Sequence, residues 1–170
     1  MSEDQLSATS AEASDWCSFD LHGSVYLDPV DSGIIVVRFR VNKPGTDGFV
    51  VGIADEQGKT SCVGTSRQLG CIPNSWGWAA YNGTKSAIME HGNWQAFTEK
   101  WNRKGAEVEL TLDCDNGVLS VSVGSGVSLE AFNHPPWAGT PLYLGWHLRS
   151  SSITLLGVSL QRPRFESFRF

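Results

Sequence analysis

The stretch that decides the fold is Glu107–Val123, EVELTLDCDNGVLSVSV. Val108, Leu110, Leu112 and Cys114 alternate with Glu107, Glu109, Thr111 and Asp113, the two-residue period of a strand with one face buried and one face wet. Asp115-Asn116-Gly117 follows, a strong hairpin turn, because Asn and Gly accept the left-handed backbone such turns require. Leu119, Val121 and Val123 then resume the inward face opposite Ser120 and Ser122. The segment therefore reads as an antiparallel hairpin with a buried side.

Outward from that hairpin the same grammar recurs. Gly33–Val41 places Ile35, Val37, Phe39 and Val41 on one face, and Ile34, Val36, Arg38 and Arg40 on the other. Lys43–Gly48 reads as a turn, and Phe49–Ala54 as a strand in which Gly52 leaves room for a bulky neighbour. Asp55–Asn74 is polar and Gly-punctuated, which predicts an extended surface loop with a short strand near Cys62–Val63. Trp76–Tyr81, Asn82-Gly83 and Lys85–Met89 form a second hairpin. Leu142–Leu148 and Ser152–Gln161 supply two final strands, with a bulge at Gly157. The one helical hint is Trp94–Trp101. Short strands at this spacing imply an all-β fold, a two-layer antiparallel β-sandwich.

The chain has 170 residues, one domain's worth. It divides into an acidic lead over 1–14 that reads as disordered, the sandwich over 15–161, and an Arg/Phe tail over 162–170. The seven Trp and eight Phe supply much of the burial. Net charge is −5, of which residues 1–15 carry −4 and the tail +2, leaving a mildly acidic centre. That balance argues against nucleic acid, whose backbone needs a basic face. No apolar run reaches membrane-spanning length and no secretory leader precedes the domain, so a cytoplasmic protein is expected. Cys17, Cys62, Cys71 and Cys114 lack zinc-ligand spacing and are expected as free thiols; Cys62 and Cys71 are the pair an oxidising compartment would join.

Four landmarks in order make the sequence similar to the SPRY domain family. They are Gly48-Phe49-Val50-Val51-Gly52-Ile53-Ala54, Ser75-Trp76-Gly77-Trp78, the hairpin within Val108–Val123, and Pro141-Leu142-Tyr143-Leu144. The central segment most resembles the SPRY domains of SOCS-box proteins. The hairpin departs from the family in lacking its Phe and closing Asn, and Leu144 stands where the family has Pro. No SOCS box accompanies it here, so the resemblance implies an intracellular adaptor domain without that ligase-recruiting element. It also implies a peptide pocket on loops at one end of the sandwich. Matched by landmark, the two pocket segments fall at Thr65, after Val63-Gly64, and at Arg149-Ser150-Ser151, neither keeping the family's aromatic residue.

The expected function is non-catalytic recognition of a peptide or loop of a partner protein. The expected contacts are Thr46, Asp47, Thr65, Ser66, Arg67, Tyr81, Arg149 and Ser150, and the loops expected to grip the ligand are Lys43–Asp47, Asp55–Gly58, Thr65–Gln68 and Arg149–Ser151. No cofactor or metal is expected, since His22, His91, His134 and His147 are scattered. The acids Glu107, Glu109 and Asp113 share a strand face at a spacing of about 7 Å, within the range of a glycosidase pair, but a solvated strand face produces the same pattern. Two further alternatives stand beside protein recognition. One is a structural subunit docked into a larger assembly by the tail; the other is a carbohydrate-binding, lectin-like domain using Trp94, Trp101 or Trp137.

Overall fold

The computed structural model describes residues 23–44, 49–62, 67–81, 85–97, 100–148 and 151–161, with Tyr81 and Lys85 described by their backbone alone. Eleven strands and one short helix appear among them: β1 (Gly23–Tyr26), β2 (Ile34–Lys43), β3 (Phe49–Ala54), α1 (Glu56–Cys62), β4 (Ser75–Tyr81), β5 (Lys85–Glu90), β6 (Asn93–Phe97), β7 (Glu107–Asp113), β8 (Val118–Val123), β9 (Leu129–Asn133), β10 (Tyr143–Leu148) and β11 (Ser152–Gln161). A six-stranded sheet runs β1-β10-β3-β4-β5-β6, and a five-stranded sheet runs β11-β2-β7-β8-β9. Neighbouring strands pair antiparallel throughout. This is the two-layer sandwich that the alternation predicts.

The inward faces meet in one core. Ile35, Val37, Phe39 and Val41 of β2 join Val108, Leu110 and Leu112 of β7, and face Trp76, Trp78, Phe49, Val51 and Ile53 of the other sheet. Each such side chain, fully buried, contributes on the order of 1.5–3 kcal/mol. The bulge expected at Gly157 is present as a register shift between Leu155 and Gly157 in the β11–β2 pairing.

The excursion 55–74 differs from expectation. In place of an open loop with a strand at Cys62, the chain forms α1 and lies over the outer face of the six-stranded sheet. Cys62, Leu69 and Ile72 are buried there against Val50, Ala54, Ala79 and Met89, a second apolar layer. Asp55 starts the helix as its N-cap, its Oδ1 accepting from the Gly58 N–H at 2.8 Å. Gly58 is needed because a Cβ there would lie 2.1 Å from the Asn74 carbonyl oxygen. Covered on both sides, β3 is buried at every position, which explains its uninterrupted apolar run.

Trp94–Trp101 also differs: Asn93–Phe97 is the border strand β6 of the larger sheet, and its residues 93–96 are exposed. Exposure on both faces erases the strand alternation, leaving a composition that mimics a short helix.

Candidate functional site

Register places the strand termini in two groups. Lys43 opposes Ser152, Leu148 opposes Gly23, Phe49 opposes Ala80, and Val123 opposes Val108. These termini share one end of the sandwich. Ile34, Asp113 and Val118 lie at the other end, with Ala54, Ser75, Tyr143 and the Glu90–Asn93 hairpin.

The first end is closed by Trp101, which is fully buried. Its ring centroid lies 4.4 Å from Phe49, 5.2 Å from Trp78 and 5.9 Å from Phe39. The flanking backbone is tied down by Gly105 N–H to Val41 C=O at 2.8 Å and Val41 N–H to Ala106 C=O at 2.9 Å. Around this plug stand Lys43, Lys100, Arg103 and Lys104, all exposed. The acid nearest in register is Glu107, and Arg40 already holds it, through Nε and Nη2 to Oε1. The ion pairs formed among the described residues are Arg38–Glu109, Arg40–Glu107 and Lys59–Glu56, so none engages these four cations.

The opposite end carries the acids Asp28, Asp31, Glu56, Glu90, Asp113 and Asp115. Several are used locally. Asp113 Oδ1 accepts from the backbone of Asp115 and Asn116, and Asp115 Oδ1 accepts from the Gly33 N–H at 2.9 Å. Tyr143 donates its hydroxyl to Glu56, and Lys59 Nζ lies 3.9 Å over the Tyr143 ring, which fastens α1 to β10. That bond from Glu56 also pushes the Tyr143 phenol up from its ordinary value. Among the described residues, the charges beyond the strand ends are thus mainly basic at one end and acidic at the other.

Of the eight residues expected to touch a ligand, Thr46, Asp47, Thr65, Ser66, Arg149 and Ser150 lie outside the described residues. Tyr81 ends β4 at the basic end, and Arg67 is exposed on the segment that crosses the outer sheet face. The loop Asp55–Gly58 does not join the other contacts. It is the first turn of α1 at the acidic end, separated from Leu148 by the six residues of β10, a span of roughly 17 Å. Sequence reasoning missed Lys100, Arg103 and Lys104, although the run Lys-Trp-Asn-Arg-Lys-Gly over 100–105 carries the signal.

Glu107 and Glu109 are not a cleft-bound acid–base pair. They lie on the outer face of the five-stranded sheet, opposite Arg40 and Arg38 in register, and each accepts from its guanidinium at 2.6 Å. Among the described residues no three His, Cys, Asp or Glu side chains converge as metal ligands, and no helix is long and apolar enough to cross a membrane. Trp101 and Trp137 are buried in the core and Trp94 is half exposed. Cys62 and Cys114 are buried and Cys71 exposed, all three as free thiols.

Solved structures share this architecture. The PSpry domain of TRIM65 aligns at a TM-score of 0.61 and 18% identity, over 79% of this chain and 68% of that one. The SPRY domain of human HERC1 aligns at 0.56 and 19%, over 84% of each chain. The chain has the SPRY fold. No family model and no curated protein matches the sequence.

The SPRY landmarks have physical reasons here. Ser75 is fully buried and ties the excursion down, accepting from the Gly70 N–H and donating to the Ile72 carbonyl. Trp76 and Trp78 point into the core, Trp78 donating to Ser86 Oγ at 2.6 Å. Gly77, facing outward between them, has no room for a side chain: a Cβ would lie 2.7 Å from the Leu69 carbonyl oxygen.

Proposed function

We propose that this SPRY-fold chain is a non-catalytic protein-recognition module, and that its basic end grips an acidic loop or extended segment of a partner. The observation that carries the reading is the quartet Lys43, Lys100, Arg103 and Lys104, exposed and outside every ion pair among the described residues, around the buried plug Trp101. Exposed cations outside the ion pairs of the described residues give charge-assisted bonds to carboxylates, and the fixed base spares the module most of the ordering cost of binding. Lys43, Phe49, Leu148 and Ser151, the described residues that flank the segments of Thr46, Asp47, Arg149 and Ser150, border this end, and we assign those four and Tyr81 to the contact as well. Exposed Arg67 extends the contact along the outer sheet face, and Thr65 and Ser66 before it in the chain are assigned to the same contact.

The test is fluorescence anisotropy with a labelled ten-residue peptide rich in Asp and Glu, at low and high salt. The Lys43→Glu/Arg103→Glu/Lys104→Glu protein is expected to lose binding while keeping its melting temperature within a few degrees. Equal affinity in the reversed protein overturns the assignment. A protein lacking residues 162–170 is expected to bind as before; loss of binding there instead favours docking by the tail.

A further inference from the structure

The borders of the two sheets are not alike. Strand β11 carries two register shifts against β2, β9 pairs with β8 through another, and β1 is only four residues long. Bulges and brevity are the usual means of keeping a sheet border from pairing with a foreign strand, as are Lys and Pro. Strand β6 has none of them. It keeps unbroken register with β5 from Ser86↔Phe97 to Glu90↔Asn93, and its sequence, Asn-Trp-Gln-Ala-Phe, contains neither charge nor proline.

The hairpin fixes which backbone groups of β6 face outward. His91 and Gly92 both have positive φ, 50° and 80°, the pattern of a two-residue mirror-image turn. Such a turn makes Glu90 and Asn93 a hydrogen-bonded pair, so Ile88–Gln95 is bonded as well, and Ala87–Ala96 is not. The N–H and C=O of Ala96 therefore point away from the sheet, across its border.

Behind that border lies a groove of about 430 Å³. It lies between the inner face of β5 and β6 and the border strand β9 of the other sheet. Trp76, Ile88, Glu90, Gln95, Phe132 and Asn133 line it. Glu90 is half-buried, and its partner among the described residues is the Trp76 indole N–H, donating to Oε1 at 2.8 Å. No Lys or Arg lines the groove. It thus presents a carboxylate with no Lys or Arg beside it, the imidazole of His134 being the other ionisable group in its lining, next to a border that pairs with no other described strand.

We propose that β6 is a docking edge for an extended basic segment of another protein, which adds as a further strand and sends an Arg or Lys into the groove to meet Glu90. An added strand lies two inter-strand spacings from β5, about 10 Å, a gap that only the long cationic side chains bridge. A second copy of β6 is the poorer occupant, since it brings no cation to Glu90. This surface is distinct from the basic end: it takes the opposite charge, and its carboxylate stands at the opposite end of β5.

The probe is a fluorescein-labelled eight-residue peptide alternating Arg and Val, compared with one alternating Glu and Val, added to the intact protein. The Arg peptide is expected to bind, the Glu peptide to fail, and the Ala96 amide to exchange more slowly in the complex. Glu90→Gln is expected to weaken binding about tenfold, as for loss of a charge-assisted bond. Ala96→Pro is expected to abolish binding with the circular dichroism spectrum unchanged, since the lost N–H makes no bond within the sheet. Equal affinity in Ala96→Pro overturns the proposal, because the peptide then merely adheres to an acidic surface. So does a dimer in sedimentation that Ala96→Pro dissolves, which assigns the border to a second copy.

Discussion

Replacing Trp101 separates the plug from the charges that surround it. The indole is fully buried among Phe39, Phe49 and Trp78, and truncating such a side chain costs about 3–5 kcal/mol in transfer and cavity terms. Among the described residues its buried Nε1 has no acceptor, a liability of about 1–3 kcal/mol that removal relieves. Trp101→Phe therefore opposes two effects: a void of methyl size costs about 1 kcal/mol, and loss of the unpaired N–H returns a similar amount. Trp101→Ala gains the same relief but bears the whole cavity. Urea unfolding followed by circular dichroism is expected to place Trp101→Phe within about 1 kcal/mol of the parent and Trp101→Ala at least 2 kcal/mol below it. In melting temperature the alanine protein falls by about 4–12 °C. Its affinity for an acidic peptide falls too, although no cation has been removed. A phenylalanine protein as unstable as the alanine one, or an alanine protein indistinguishable from the parent, refutes the reasoning.

Gly52→Ala would put a Cβ 2.0 Å from the Trp76 carbonyl oxygen; backbone rather than a flexible side chain must give way, and thermal unfolding is expected to show a loss of about 3 kcal/mol. Gly157→Ala meets nothing within 4 Å and is expected to change stability by no more than about 0.5 kcal/mol, read the same way. A double-mutant cycle on Arg38 and Glu109, whose side chains are 66% and 32% exposed, is expected to give a coupling below about 1 kcal/mol. Burial pushes the Cys114 thiol up from 9.0 to about 11, with Asp115, Asp113 and Asp31 adding to the shift. The folded state then retains a proton that the unfolded chain has lost, so stability is expected to fall as pH rises from 9 to 11, and Cys114→Ala to flatten that decline. At pH 8, a thiol reagent is expected to label exposed Cys71 well before buried Cys62 and Cys114.

The sandwich was legible wherever a strand has one wet face. β2, β7 and β8 announce themselves by alternation, and their inward residues are the buried ones. Two elements were hidden for opposite reasons. β3 is covered on both faces, and what covers it is a polar segment whose three buried apolar side chains, Cys62, Leu69 and Ile72, are too sparse to show a period. β6 is covered on neither, so no alternation survives to mark it. The candidate site was legible only in pieces. Lys100, Arg103 and Lys104 form a visible basic run, yet nothing local says that it stands beside Lys43. That follows from the β2–β7 register, which brings Arg40 opposite Glu107 and the ends of both strands together.

The same register explains why a chain of net charge −5 presents two faces of opposite character. Arg38 and Arg40 are consumed by Glu109 and Glu107 across the middle of the five-stranded sheet, so the centre of that face is neutral. What remains is sorted by turn chemistry. Asp is favoured where a side-chain oxygen must accept from turn or helix N–H groups, and Asp55 and Asp113 and Asp115 do this at one end. The connection into β7 at the other end is closed by burying Trp101 and by backbone bonds among Val41, Gly105 and Ala106, which need no carboxylate and leave its Lys and Arg to solvent. Strands of about six residues keep these ends roughly 17 Å apart, more than two Debye lengths at physiological salt. An acidic segment held at the basic end and a cationic side chain held by Glu90 at the other would therefore neither compete nor neutralise each other, and simultaneous binding without loss of affinity is the outcome this polarity predicts. Mutual exclusion of the two peptides in a single anisotropy titration would show that the charges act as one field rather than as two sites.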